Sequence, residues 1–149
     1  MEELSSRLQA VYGGDAWYGL PLGELLREVD AAAAAAHPWH GVHSVWEVVL
    51  HVTVWNKVVL RRMHGETVEP THQQDWPPVP KFSDSQWQAD LLALAESHTT
   101  LCDAVNSFPP ARLAETVPDK DYDFSFMLQG AVDHIVYHAG QIALLKKQR

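Results

Sequence analysis

The chain has a single cysteine, Cys102, which excludes an internal disulfide and with it the disulfide-stapled architectures of small secreted domains. Positive charge is scarce as well: eleven Lys and Arg stand against nineteen Asp and Glu, for a formal net charge of -8. Nonspecific nucleic-acid binding depends on cations that neutralise phosphates, so no nucleic-acid partner is expected. The basic residues that do cluster, Arg61-Arg62 and Lys146, Lys147 and Arg149, read as solvated helix ends rather than a face that tracks a backbone. Long apolar runs are missing too. Val42 to Leu60 is broken by Glu47, His51, Asn56 and Lys57, short of the roughly 18 uninterrupted apolar residues a membrane span needs. Met1-Glu2-Glu3 begins acidic with no apolar signal run behind it, so the expectation is a cytoplasmic protein with no membrane partner.

What is present is enough to fold. At 149 residues, 46% apolar and 20% charged, the chain matches one globular domain with a core of its own. Three long segments carry helical periodicity. The first opens at Ser44, with Glu47 three positions on in the capping-box pattern, and runs to about His64, where Gly65 supplies the stop. The second opens at Ser83, with Gln86 three positions on, and ends at Pro109-Pro110. The third follows an acidic turn from Pro118 to Asp123 and runs from about Phe124 to Lys147. It is apolar on nearly every side, as befits the centre of a bundle.

A fourth helix is expected from Pro21 to about Ala36, with a further short one over Met1 to Tyr12. The connection from Glu66 to Phe82 holds Pro70, Pro77, Pro78 and Pro80 and reads as a long crossover or a lid. No stretch alternates strongly enough to demand a sheet. The fold class is therefore all-α, an antiparallel four-helix bundle with a Pro-rich connection between its second and third helices.

Chemistry enters with the histidines, of which there are nine. His134 and His138 stand four apart, so both imidazoles leave one face of the last helix about one turn from each other. At this histidine content chance alone gives about 0.5 such pairs, so spacing by itself says little. Placement says more. Both lie in the middle of an apolar helix, where an unpartnered imidazole is costly to bury, and His51 lies in a similar setting between Leu50 and Val52. Three buried histidines on two core helices can converge on one divalent metal ion and leave positions open for water or substrate. They can equally be bonded to one another without a metal, or hold an ion that only pins two helices.

The other histidines read differently. His37, His40 and His43 surround Pro38 and Gly41 in a loop, His64 and His72 flank a helix end and sit in the Pro-rich segment, and His98 reads as a satisfied histidine on a half-buried face. Glu47, one turn before His51, is open to two roles: the capping partner of Ser44, or a metal ligand, outer partner or general base. Gln141, three residues past His138, can bond a ligand histidine, a bound water or a buried polar cluster. Of six tryptophans, Trp46 and Trp87 sit at core spacing, while Trp17, Trp39, Trp55 and Trp76 are candidates to wall an apolar pocket. Trp55, one turn after His51, is the best placed.

His-Ser-Val-Trp-Glu-Val-Val-Leu-His, from His43 to His51, and Val-Asp-His-Ile-Val-Tyr-His-Ala-Gly-Gln-Ile, from Val132 to Ile142, together resemble the DinB/YfiT-like metalloprotein superfamily. The likeness extends to Ala-Trp-Tyr-Gly at Ala16 to Gly19, Leu-Arg-Arg-Met-His-Gly-Glu at Leu60 to Glu66, and Asp-Trp-Pro-Pro at Asp75 to Pro78. The resemblance implies an antiparallel bundle whose metal ligands match His51, His134 and His138. It further implies a zinc, nickel or iron ion and a homodimer. The implied activity is that of a thiol-dependent transferase or isomerase using a low-molecular-weight thiol, or of a metal-dependent hydrolase, acting on a small-molecule substrate. Two departures weigh against the transferase: the extra C-terminal domain of the mycothiol-linked isomerases is missing, and no basic cluster beyond Arg61-Arg62 offers a seat for a carboxylate-bearing thiol.

Overall fold

A computed structural model describes residues 1–148 and shows an all-helical chain. Its longest helices begin where short polar side chains replace the partners that the first backbone N–H groups lack. Helix α4, Val45–Met63, starts on Ser44: the Ser44 hydroxyl accepts the Glu47 N–H at 3.2 Å and the Glu47 carboxylate accepts the Ser44 N–H at 2.7 Å. Helix α6, Asp84–Ser107, starts on Ser83, whose hydroxyl takes the Gln86 N–H. Helix α7, Phe124–Leu145, starts on Asp123, whose carboxylate takes the Phe126 N–H. Gly65, at φ +87, follows α4 in a conformation that side chains resist.

The bundle is completed by α1, Glu2–Gly13, and this corrects one expectation. The segment from Pro21 to Ala36 is two single-turn helices, α2 at Leu22–Leu26, packed on α1 and α7, and α3 at Ala31–Ala35, packed on α4 and α6. Asp30 divides them, because its carboxylate caps the Ala33 N–H and so starts a new helix instead of continuing the old one. The break also frees the Val29 carbonyl, which accepts the Trp87 indole N–H at 2.7 Å. In α1, by contrast, Leu8 and Val11 are buried against α6 and α7.

Contacts fix the sense of each helix. Trp46 donates to Asp90 and Asn56 to Ser97, so α4 and α6 run the same way, as the long crossover between them permits. His51 meets His134 and His138 while Arg62 meets Tyr122, so α7 runs opposite to α4. Arg7 lies 3.7 Å from Asp133, and Met1 and Leu4 share a depression with Ser125 and Gln129, so α1 runs with α7. Trp46 and Trp87, both fully buried with ring centroids 5.2 Å apart, anchor the core as packing residues. The crossover is ordered by α5, His72–Asp75, which carries its own capping box between Thr71 and Gln74. No helix among the described residues is long and apolar enough to cross a membrane.

Among the described residues one core polar group is left over. His98 is 4% exposed, stacks on Tyr12 with centroids 4.6 Å apart, and holds Nε2 3.3 Å from the Cys102 sulfur. Its Nδ1 has no partner in hydrogen-bonding geometry, although the Leu8 carbonyl lies close enough to offset part of the burial cost. Burial pushes its pKa down to about 4. The unfolded chain, with an imidazole pKa of about 6.5, takes up the proton first, so this contribution is complete above that value and lost as pH falls towards 4. Between pH 7 and pH 5, denaturant unfolding is expected to show a stability loss smaller by about 1–2 kcal/mol in His98→Gln than in the unsubstituted protein.

Candidate metal centre

His51 sits in the middle of α4, and His134 and His138 leave one face of α7 opposite it. The antiparallel packing of these two helices brings the three rings together. His51 Nε2 and His138 Nε2 each lie 3.0 Å from His134 Nε2, and one ligand atom from each ring falls within 4.8 Å of the others. His51 and His138 are buried and His134 is half-buried.

The outer nitrogens decide what the inner ones can do. His51 Nδ1 faces only acceptors, the Asp75 carbonyl at 2.9 Å and its carboxylate oxygen at 3.0 Å, so it carries the proton and donates. His138 Nδ1 donates to the Gln141 amide oxygen at 2.7 Å. Both rings therefore present an Nε2 lone pair to the centre. A proton on His134 Nε2 can serve one of them and leaves the other facing a nitrogen with nothing to share. A cation between the three satisfies all of them at once, so this donor set fits a divalent metal. Burial, reinforced by the neighbouring imidazoles, holds His134 down to about 3 and His138 to about 4, and burial lowers His51 against the pull of Asp75. All three are neutral at pH 7, the state a ligand requires.

The crossover supplies the support. Asp75, the last residue of α5, accepts the Trp55 indole N–H at 2.6 Å as well as the His51 proton. Trp76 stacks flat between His51, at a centroid distance of 3.9 Å, and His43, at 3.6 Å. A cavity of about 300 Å³ opens beside His51 and His134, walled by Trp55, Val59, Phe126 and Met127, with Arg62 and Tyr122 also in its lining. A second cleft, lined by Trp39, His43, Trp76 and Tyr137, reaches His138 and Gln141.

The structure thus brings His51, His134, His138, Trp55 and Gln141 to one place. Glu47 is turned elsewhere: its carboxylate caps Ser44 and faces His37 at 2.9 Å and His43 at 3.6 Å. These contacts hold its pKa below the usual range despite partial burial. Trp17 is fully exposed and walls nothing. Asp75, which orients two site residues, stood in the sequence only as part of a family-like motif. The signal that could have found it is the Thr71 to Gln74 capping box, which marks an ordered turn inside the Pro-rich segment.

A helical bundle with a three-histidine group beside an open cavity defines a class of metal-binding scaffold. The chain belongs to the DinB superfamily, whose family model matches residues 22–142. No curated protein and no solved structure matches it.

Removing an outer partner of a ligand histidine costs ring orientation and basicity. Gln141→Leu, which removes the acceptor of the His138 Nδ1 proton, is expected to weaken zinc affinity about 10- to 100-fold in competition with a chromophoric chelator, and Asp75→Ala, which leaves the Asp75 carbonyl accepting from His51 Nδ1, to weaken it less.

Proposed function

We propose that this DinB-superfamily protein is a metal-dependent enzyme acting on a small molecule, with His51, His134 and His138 holding one zinc, nickel or iron ion. The observation that carries this reading is the incomplete protein shell. Among the described residues, the His, Cys, Asp and Glu groups close enough to share one ion are these three alone. The nearest candidates for a fourth ligand are committed elsewhere, Asp75 to His51 Nδ1 and Trp55, and Gln141 to His138 Nδ1. A purely structural site closes its shell with protein atoms, whereas a catalytic one keeps an open position beside a cavity.

A divalent cation held on three neutral imidazoles supplies a Lewis acid able to activate a low-molecular-weight thiol or a water, the chemistry of a transferase or a hydrolase. The chain's own residues supply the rest. Asp75 and Gln141 keep both Nε2 lone pairs aimed inward, Trp76 clamps the His51 ring by stacking, and Trp55 forms an apolar wall that excludes water from one side of the centre. Glu47, engaged at the helix cap, is left to that role and to holding His37 and His43.

Elemental analysis of tag-free protein is expected to find about one transition-metal ion per chain and none in His51→Ala or His138→Ala. Loaded protein is then expected to consume a small thiol in the presence of an electrophile or to hydrolyse an activated ester, with both activities lost in the same variants. Protein that carries no metal and takes up none when zinc, nickel or iron is added contradicts the proposal.

A further inference from the structure

The cavity beside the three histidines has a cation at its other end. Arg62 is 3% exposed, and its guanidinium lies 5.6 Å from the centre of the Trp55 ring, which also neighbours the His134 ring at 5.8 Å and the His51 ring at 6.3 Å. One indole thus spans from the histidines to the arginine. Buried guanidinium groups are normally matched by a buried carboxylate, since an unmatched charge is costly in a medium of low dielectric. Arg62 has none.

Its bonds go mostly to neutral groups. Nε and Nη2 both donate to the Val68 carbonyl, at 3.2 and 2.7 Å, and Nη1 donates to the Tyr122 hydroxyl at 3.1 Å. Among the described residues the one anion within reach is Glu69, 3.4 Å from Nη2, 68% exposed and also paired with Lys120. Two cations therefore share a single, solvent-facing carboxylate. A guanidinium has five N–H donors, and these contacts leave one on Nη1 without an acceptor. Tyr122 accepts from Arg62, and its own hydroxyl proton has no acceptor among the described residues. Both groups line the cavity, whose remaining walls include Val59, Phe126, Met127 and Ala131.

We infer that this cavity takes a small, largely apolar molecule bearing one carboxylate, which pairs with Arg62 and Tyr122 while the other end of the molecule lies against the histidines. A monoanion matches the one positive charge by which Arg62 and Lys120 exceed Glu69, the Asp75 carboxylate in the same lining being engaged by the His51 and Trp55 N–H groups, and two adjacent donors suit the two oxygens of a carboxylate. Arg62 and Tyr122 are thereby specificity-determining residues rather than groups that react. The inference rests on this cavity's being the substrate cavity of the proposed metal site.

The test compares 3-phenylpropanoate with its uncharged counterpart 3-phenylpropanamide, binding being followed by calorimetry and by intrinsic tryptophan fluorescence on the full chain as isolated. The carboxylate is expected to bind at least tenfold more tightly than the amide, a preference that Arg62→Gln abolishes. Tyr122→Phe leaves both Arg62 bonds to Val68 in place, is less exposed to misfolding, and is expected to cut the preference at least threefold. A wild-type preference below threefold, a preference unchanged in Tyr122→Phe, or failure of both probes to bind at millimolar concentration overturns the inference. Elemental analysis of the same samples separates the two readings. Protein that stays metal-free after zinc, nickel or iron is added yet keeps the carboxylate preference sinks the metal site alone, whereas stoichiometric metal without the preference sinks the carboxylate subsite alone.

Discussion

Two imidazole nitrogens whose lone pairs face one nitrogen of a third ring cannot both be satisfied by a single proton, whereas a cation between the three satisfies them all. That arrangement is created by two hydrogen bonds on the far sides of the rings, from His51 to Asp75 and from His138 to Gln141. Remove either bond and the ring is free to place its proton inward, where it can satisfy His134 without a metal. The rest of the structure can be understood as the means of holding those two bonds. The antiparallel packing of α4 on α7 sets the ring positions, the core tryptophans Trp46 and Trp87 fix where α6 meets α4, and the apolar surroundings keep the imidazoles neutral.

The crossover between α4 and α6 has two consequences that follow from one chain path. Because it is long, α4 and α6 can run in the same sense, which leaves α7 free to lie antiparallel to α4. Because it is ordered, by the Thr71 cap on α5 and by Arg62 gripping the Val68 carbonyl, it delivers Asp75 and Trp76 to His51 at fixed geometry. Arg62 therefore links support and cavity: the same guanidinium that ties down the crossover also borders the space beside the histidines. A loop that was only a connection would need neither the cap nor the buried charge.

Much of this was legible in the residues. Ser44, Ser83 and the acidic turn before Phe124 marked the helix starts, because capping is a local exchange between a side chain and the next turn of its own backbone. The histidine constellation was legible through burial cost, since unpartnered imidazoles are out of place inside apolar helices. Two things were not. Whether Met1 to Tyr12 or Pro21 to Ala36 supplies the fourth bundle helix turns on tertiary packing: the alanine run has propensity but no large side chains to bury, while Leu8 and Val11 find a groove between α6 and α7. Nor could spacing along the chain show that Asp75, twenty-four residues from His51, folds back onto it, or that Tyr122, sixty residues from Arg62, meets its guanidinium. Glu47 illustrates the opposite case, in which one residue satisfied two patterns and its hydrogen bonds went to the cap.

The central claim is that His51, His134 and His138 jointly hold one ion and leave part of its shell to solvent or substrate. X-ray absorption at the metal edge of tag-free protein tests it most directly. For zinc, the expected spectrum shows three imidazole nitrogens at about 2.0–2.1 Å together with one or two further oxygen scatterers. A first shell with a single imidazole or none contradicts the three-histidine site.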